Sequence, residues 1–528
     1  MFSASVRKSG ILAGIEVIPN MSAKSLRTFL VTALLALPCL PGVATAQVET
    51  LPRSDALTPR TTTGRSSDLP STRRDERGRG GASIDIPLGP LLDALRGPAE
   101  EPPPPPPAAP ALPPALGSPS PAPPAPAAAS SPLDASPAQP PVVTRRAGSG
   151  VPPVRERRFF PDEVVIELAN GVLPQQIDSL EQRQRVVAIE RRSSVLSGTT
   201  LLRARIADRR SVAAAVRALE NDAVVISAQP NFRFALQQQS VARPPGNGGT
   251  LQYAPAKLRL PEAHQLATGG NVFVAVIDSG VDTSHAELDG AIAATFDTFP
   301  APGEPHSHGT AIAGLIAAHA KLMGSAPAAH ILAARAFEAD GAGADGSTFN
   351  ILKALDWAAI SGARVINMSF AGPADPAIHR SLDAAHARGI VLVAAAGNAG
   401  AKSPPLYPGA DPNVIAVTAT DVDDKPFGAA NRGAYIAVAA PGVDLLVAIP
   451  DGAYRISSGT SLAAAEVSGI AALMIERKPS LTPDDVRALL LATARPLGPS
   501  ERTGAGLVDA YRAVSEQEPG PTALTGTR

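Results

Sequence analysis

The chain has 528 residues, a formal net charge of −1, 44% hydrophobic and 4% aromatic residues, and one cysteine. Its length exceeds one ordinary domain and leaves room for roughly three segments. The near-zero charge excludes strong attraction to nucleic acid or a membrane surface.

Lys24 to Arg27 is positively charged, and Phe29 to Leu40 is an apolar run too short to span a bilayer stably. Ala44-Thr45-Ala46 before Gln47 fits a small-residue cleavage site. Residues 1–46 therefore read as a secretory signal, with Met21 an alternative start. Cys39 lies inside it, so the mature chain is expected to hold no thiol, no disulfide and no transmembrane anchor. The expected location is outside the cytoplasm: periplasm, cell envelope or medium. Residues 47–153 are Arg/Ser-rich, then Pro/Ala-rich, with an unbroken proline run from Pro102 to Pro107. Such a stretch favours polyproline II and disorder and reads as a linker; a Pro-rich partner-binding role is the alternative.

Residues 154–239 change character. Asp162 to Leu168 alternates like a strand, and Leu173 to Gln184 reads as a helix with Pro174 at its start. Arg185 to Arg191 and Thr200 to Ile206 read as strands. Ser211 to Asn221 is helical, with Val212, Val216 and Leu219 on one face, and Ala223 to Ala235 ends in a strand. The order βαββαβ is the ferredoxin-like split unit. The stretch from Ala235 to Thr250 contains Gln237-Gln238-Gln239 and Gly246-Asn247-Gly248-Gly249, a composition open to proteolysis.

Residues 250–515 carry the chemistry, followed by a short tail, 516–528. Phe273 to Ile277 is a continuous apolar run ending in Asp278, as in a strand buried on both faces of a parallel sheet. A carboxylate there can hold a histidine through Nδ1, although a strand-ending Asp alone is more often a turn former. His308-Gly309-Thr310 opens a small-residue helix. His306 stands two residues earlier, but the Gly-Thr favours His308. Val365 to Ser369 and Ile390 to Ala396 are further strands, the second followed by Gly397-Asn398. The Asn398 amide can serve as an oxyanion donor or as a plain turn residue. Gly459-Thr460-Ser461 opens another helix, whose free N–H groups and partial positive charge suit a developing oxyanion; Ser461 or Thr460 as a simple N-cap is the alternative. Thr482-Pro483-Asp484-Asp485 starts a capped helix, and Leu507 to Ala510 begins the last.

The Asp278-Ser279-Gly280, His308-Gly309-Thr310, Ala395-Ala396-Gly397-Asn398 and Gly459-Thr460-Ser461 blocks, with Asn367-Met368-Ser369, resemble the subtilisin-like serine proteases, the subtilases of peptidase family S8, over about residues 250–513. The resemblance implies a three-layer α/β fold with a mostly parallel central sheet, preceded by the small α+β ferredoxin-like prodomain and the disordered Pro-rich segment. It implies a serine endopeptidase acting through an acyl-enzyme. Ser461 would be the nucleophile, His308 the general base and acid, and Asp278 the orienting carboxylate. Asn398 and the Ser461 N–H would form the oxyanion hole. Ser369, Phe370 and Ala371 would pair with an extended substrate, and Gly397 would line the pocket before the cut. Residues 154–239 resemble the family's propeptide, a chaperone and inhibitor that the enzyme itself cuts off.

Where relatives usually carry His, Pro and His, this chain has Ala311, Ala465 and Glu466, and Ala371 replaces a common glycine. Glu466 is expected to be solvated or paired. Many relatives bind calcium in a loop after the active-site helix. Here that stretch, His319 to Gly324, lacks the oxygen ligands of a hard cation, so no metal ligand and no cofactor is assigned, with calcium left open. Asp340 to Gly346 reads as a flexible rim of the cleft. The expected partners are protein or peptide substrates and the chain's own propeptide, with the enzyme a monomer and no nucleic acid bound. A lipase is excluded by the lack of Gly-x-Ser-x-Gly.

Overall fold

The computed structural model describes residues 148–236, 252–340 and 343–516. The expected signal, the linker up to residue 147, the stretch 237–251 and the tail beyond Glu516 lie outside them.

Residues 159–236 form a small α+β unit. Its strands are β1 (Phe159–Ala169), β2 (Val186–Ser194), β3 (Thr199–Ile206) and β4 (Val225–Leu236), with helices α1 (Pro174–Gln184) and α2 (Val212–Glu220). The antiparallel order β2-β3-β1-β4 is that of a ferredoxin-like sheet. Val212, Val216 and Leu219 lie on the buried face of α2, against Val164, Ile166 and Leu168 of β1 in one apolar cluster.

The larger unit is a three-layer sandwich. Its sheet has the order β14-β13-β12-β10-β5-β7-β6, with every pair parallel. The strands are β5 (Phe273–Asp278), β6 (Ile292–Asp297), β7 (His330–Arg335), β10 (Val365–Met368), β12 (Val391–Ala395), β13 (Val414–Thr420) and β14 (Ile436–Pro441). Alternation along β5 sorts its side chains: Val274 and Val276 join one core, Ala275 and Ile277 the other. Helices α3 (Ser307–Ala317) and α6 (Thr460–Arg477) cover the Val274 face, and α4 (Thr348–Ile360) and α5 (Pro376–Ala387) the other. Parity puts Asp278 on the α3 and α6 side. The sheet is crossed first at β5, so its neighbours β10 and β7 flank a switch point, where open α/β sheets place their sites.

Helix α6 is buried from Thr460 to Ile475. A helix enclosed on all sides needs small residues for close packing, which explains Ala463, Ala464, Ala465, Ala471 and Ala472. A Cβ on Gly469 would fall 2.1 Å from Ser325 Oγ. Helix α7 (Pro483–Thr493) starts with a capping box between Thr482 and Asp485, and α8 (Ala510–Ser515) is capped by Asp509.

One expectation is corrected. The Asp340–Gly346 stretch is not simply a loop: β8 (Phe337–Asp340) and β9 (Gly343–Ser347) pair antiparallel as a hairpin. β9 then pairs with β4 of the small unit, Phe234 opposite Gly346. On its other edge β4 pairs with β11 (Phe370–Ala371), Phe370 opposite Leu236 and Ala371 opposite Ala235. The end of β4 thus lies between two strands of the larger unit.

Candidate active site

Asp278 closes β5, and its side chain is wholly buried. Oδ1 accepts the Ser279 N–H at 2.7 Å and lies 2.7 Å from His308 Nδ1. His308 is the second residue of α3 and also wholly buried. Gly309 behind it is required by close approach: a Cβ there would sit 2.6 Å from the Ser279 carbonyl oxygen. His308 Nε2 makes no hydrogen bond, and neither does Asp278 Oδ2. The pair is therefore held through one edge of the imidazole, with the other edge ready to take a proton.

Ser461 is the second residue of α6, and its side chain is buried. The N-cap is Gly459, with no side-chain cap, so neither Ser461 nor Thr460 serves as one. Ser461 Oγ donates to the Ser369 carbonyl at 3.2 Å rather than to His308. Ser369 follows β10, whose Met368 lies beside Ile277 of β5, so Ser369 and Asp278 end adjacent strands. Ser369 Oγ in turn donates to the Ser461 carbonyl at 3.3 Å and receives the Asn367 amide at 2.9 Å. The structure thus gathers Asp278, His308, Ser369 and Ser461 at the C-terminal edge of the sheet.

Asn398 follows β12. Its Oδ1 accepts the Thr460 N–H at 3.1 Å and the Thr460 hydroxyl at 2.8 Å. The amide nitrogen of the same side chain can act only as a donor. Gly397 sits at φ +109°, where a Cβ would also lie 2.8 Å from Asn431 Nδ2, so both backbone and space demand glycine. Phe370 and Ala371 are buried beneath β4. Phe234 of β4 packs edge-on against Phe370, with centroids 6.0 Å apart. A Cβ on Gly372 would come within 2.3 Å of the Phe234 ring.

The departures settle into the core. Ala311 and Ala465 are fully buried, and so is Glu466, which is not solvated. Glu466 Oε2 has no partner, and burial pushes its carboxyl up to about 8 against a weaker pull from Ser325.

The turn after α3 fits an anion rather than a cation. The buried Glu287 carboxylate accepts N–H groups of Ala320, Lys321 and Leu322 at 3.0 to 3.2 Å and the Tyr454 hydroxyl at 2.7 Å. Donors pointing inward already occupy its oxygens, so the turn does not fit calcium. Among the described residues no group of three or more His, Cys, Asp or Glu is placed to hold a metal ion.

Sequence reasoning missed three things. His306 is tied into the Asp278 network, Glu287 organises the turn after α3, and the end of β4 pairs with β9 and β11. For His306 the signal was its nearness to His308; for the other two no local pattern marks the pairing.

A buried Asp–His pair and a serine at a helix N-terminus, both at the C-terminal edge of one parallel α/β sheet, are the parts from which serine hydrolases are built. Residues 269–506 match the subtilase family. The chain is 37% identical over 277 residues to subtilisin E of Bacillus subtilis, covering 50% of this chain and 71% of that protein. It is 37% identical over 269 residues to subtilisin BL of Lederbergia lenta, covering 49% of this chain and 97% of that one. The structure of fervidolysin from Fervidobacterium pennivorans, described as a keratinolytic enzyme related to subtilisin, superposes with a TM-score of 0.59 at 24% identity. That likeness covers 72% of this chain and 65% of fervidolysin, and it bears on the fold alone. The chain belongs to the subtilase family of serine endopeptidases.

Proposed function

We propose that the protein is an exported endopeptidase that cuts peptide bonds with Asp278, His308 and Ser461 and is made as a self-processing precursor. The observation that carries the first part is the buried 2.7 Å contact between Asp278 Oδ1 and His308 Nδ1, with Nε2 left open toward chemistry. Ser461 Oγ turns from the Ser369 carbonyl to His308 Nε2, loses its proton there and attacks the substrate carbonyl. Asp278 stabilises the resulting imidazolium. The Asn398 amide and the Ser461 N–H receive the oxyanion. His308 then protonates the leaving amine, and water releases the acyl group by the same path. Ser369, Phe370 and Ala371 align the substrate as an added strand, with Gly397 beside the residue before the cut.

Residues 154–239 act in this reading as an intramolecular inhibitor. The support is that the end of β4 occupies the main-chain positions of β11 that an extended substrate would use. The apolar N-terminal run, followed by small residues, supports export. The donor set around Glu287 supports activity without a metal. The enzyme works as a monomer.

The test is to express the full chain and its Ser461→Ala form. The parent is expected to hydrolyse peptides, to be stopped by a serine-directed reagent and to yield a shortened product cut between Ala235 and Thr250. Ser461→Ala should do neither. The same processed product from Ser461→Ala would reject cutting in cis, and retained hydrolysis would reject the triad.

A further inference from the structure

His306 lies outside the triad but inside its hydrogen bonding. Its Nδ1 caps α3 by accepting the His308 N–H at 3.3 Å and lies 2.9 Å from Ser279 Oγ. Ser279 Oγ accepts the Gly309 N–H at 3.1 Å and is also placed to donate to Asp278 Oδ1 at 3.0 Å. A hydroxyl has one proton, and an ionised carboxylate only accepts. That proton serves Asp278 or His306, not both. A bare Nδ1 has one lone pair, shared between the His308 N–H at 3.3 Å and the hydroxyl at 2.9 Å, and the shorter contact draws the hydroxyl proton away from the carboxylate. A protonated Nδ1 donates to Ser279 and drives the hydroxyl proton onto Asp278. Each hydrogen bond added to the carboxylate disperses its charge and weakens its hold on an imidazolium.

We propose, on the triad reading above, that His306 is a positioning residue for the Asp278–His308 pair, acting through the Ser279 hydroxyl. With Nδ1 bare it keeps the hydroxyl proton off Asp278 and leaves the carboxylate a strong partner for His308. The titratable and charged groups facing His306 are Asp278 from β5, His308 from its own helix, and Arg455 of β15 (Ala453–Ser457). Burial, above all, holds the His306 imidazole below its ordinary range; Asp278 opposes this, and His308 and Arg455 add to it. The neutral form is therefore the one present at neutral pH.

The experiment is a pH series of kcat/KM on a small peptide anilide, using the expressed full chain after its own processing and titrated for active serine. The variants are His306→Ala, His306→Asn, Ser279→Ala and the Ser279→Ala/His306→Ala double, with Ser461→Ala as blank. His306→Ala frees the hydroxyl for Asp278 and should lower the midpoint of the acid limb by about half a unit to one unit, with a lower kcat. His306→Asn, whose amide oxygen again accepts, should restore the midpoint. Ser279→Ala should leave the midpoint where the parent has it, and the double variant should match Ser279→Ala. A lost helix cap alone would lower the rate without moving the midpoint, so an unmoved midpoint in His306→Ala overturns the proposal. Should that variant not fold, a raised midpoint in Ser279→Ala overturns it equally, since it would place the proton on Asp278 in the parent. Hydrolysis by Ser461→Ala would instead reject the underlying triad.

Discussion

Glu466 shows how one residue escapes a reading of the sequence. It lies on α6 five residues beyond Ser461, and a charged side chain on a helix ordinarily marks the face toward water. Here α6 has no such face, since it is enclosed on every side, and the carboxyl is carried inside. Its value in the fold is raised to about 8 from an ordinary 4.5. Between those values the folded chain binds the extra proton, so stability falls as pH rises through the window from about 4.5 to 8. Replacing Glu466 by Gln removes that slope. Thermal melts across pH should show Glu466→Gln equal to the parent in acid and more stable at pH 8 and above, by at most about 4–5 kcal/mol. Identical melts at all pH values would contradict this. A strand, a glycine and a side-chain amide together marked Asn398 as a candidate; that its oxygen is engaged by Thr460 was not legible. Asn398→Ala should lower kcat about 10²–10³-fold with little change in KM.

At the scale of elements, strands and helices with strong periodicity were readable, and those defined by their neighbours were not. β9 contains Gly343 and Gly346 and has no apolar alternation. It is a strand because β4 and β8 pair with it, as sheet propensity depends on context. The turn after α3 is similar. Its lack of cation ligands was visible, but the Glu287 carboxylate that gathers its N–H groups comes from a separate turn. Removing that carboxylate takes an acceptor from the buried Leu322 N–H, from the part-buried N–H groups of Ala320 and Lys321, and from the Tyr454 hydroxyl. Glu287→Ala should destabilise the protein by about 3 kcal/mol or more. Dialysis against a chelator should leave the melting temperature of the parent unchanged, and a large drop would restore the case for calcium.

At the scale of the whole molecule, the βαββαβ order of the small unit was legible from its alternation and helix signals, but its docking was not. Gln229 and Asn231 look like ordinary polar positions of a strand. In the fold Gln229 Oε1 accepts the Ala377 N–H at 2.9 Å and Asn231 Oδ1 accepts the Phe349 N–H at 3.2 Å, so β4 caps both α5 and α4. Ser194 and Leu196 donate to Asp356 of α4, and Arg380 of α5 pairs with the buried Glu167 at 2.8 Å. Val165, Phe232 and Phe234 also enter the core shared with α4 and α5. Removing the arginine leaves a buried carboxylate short of its cation. If the small unit inhibits as proposed, Arg380→Ala should weaken that inhibition about 10- to 100-fold, read as earlier onset of peptide hydrolysis by the precursor. An unchanged onset would show that the ion pair carries little of the docking.

The position of β4 has a consequence for timing. It is hydrogen-bonded to β1 on behalf of its own unit and to β9 and β11 beyond it. A cut downstream of Leu236 would break the covalent link and none of those pairings. If the small unit inhibits as proposed, what would change is its local supply: a tethered unit is present at an effective concentration of the order of millimolar, whereas a severed one is only as concentrated as its surroundings. On the proposed reading dilution would then be the switch. The enzyme would stay silent where it is made and crowded, and start to work where it has spread out.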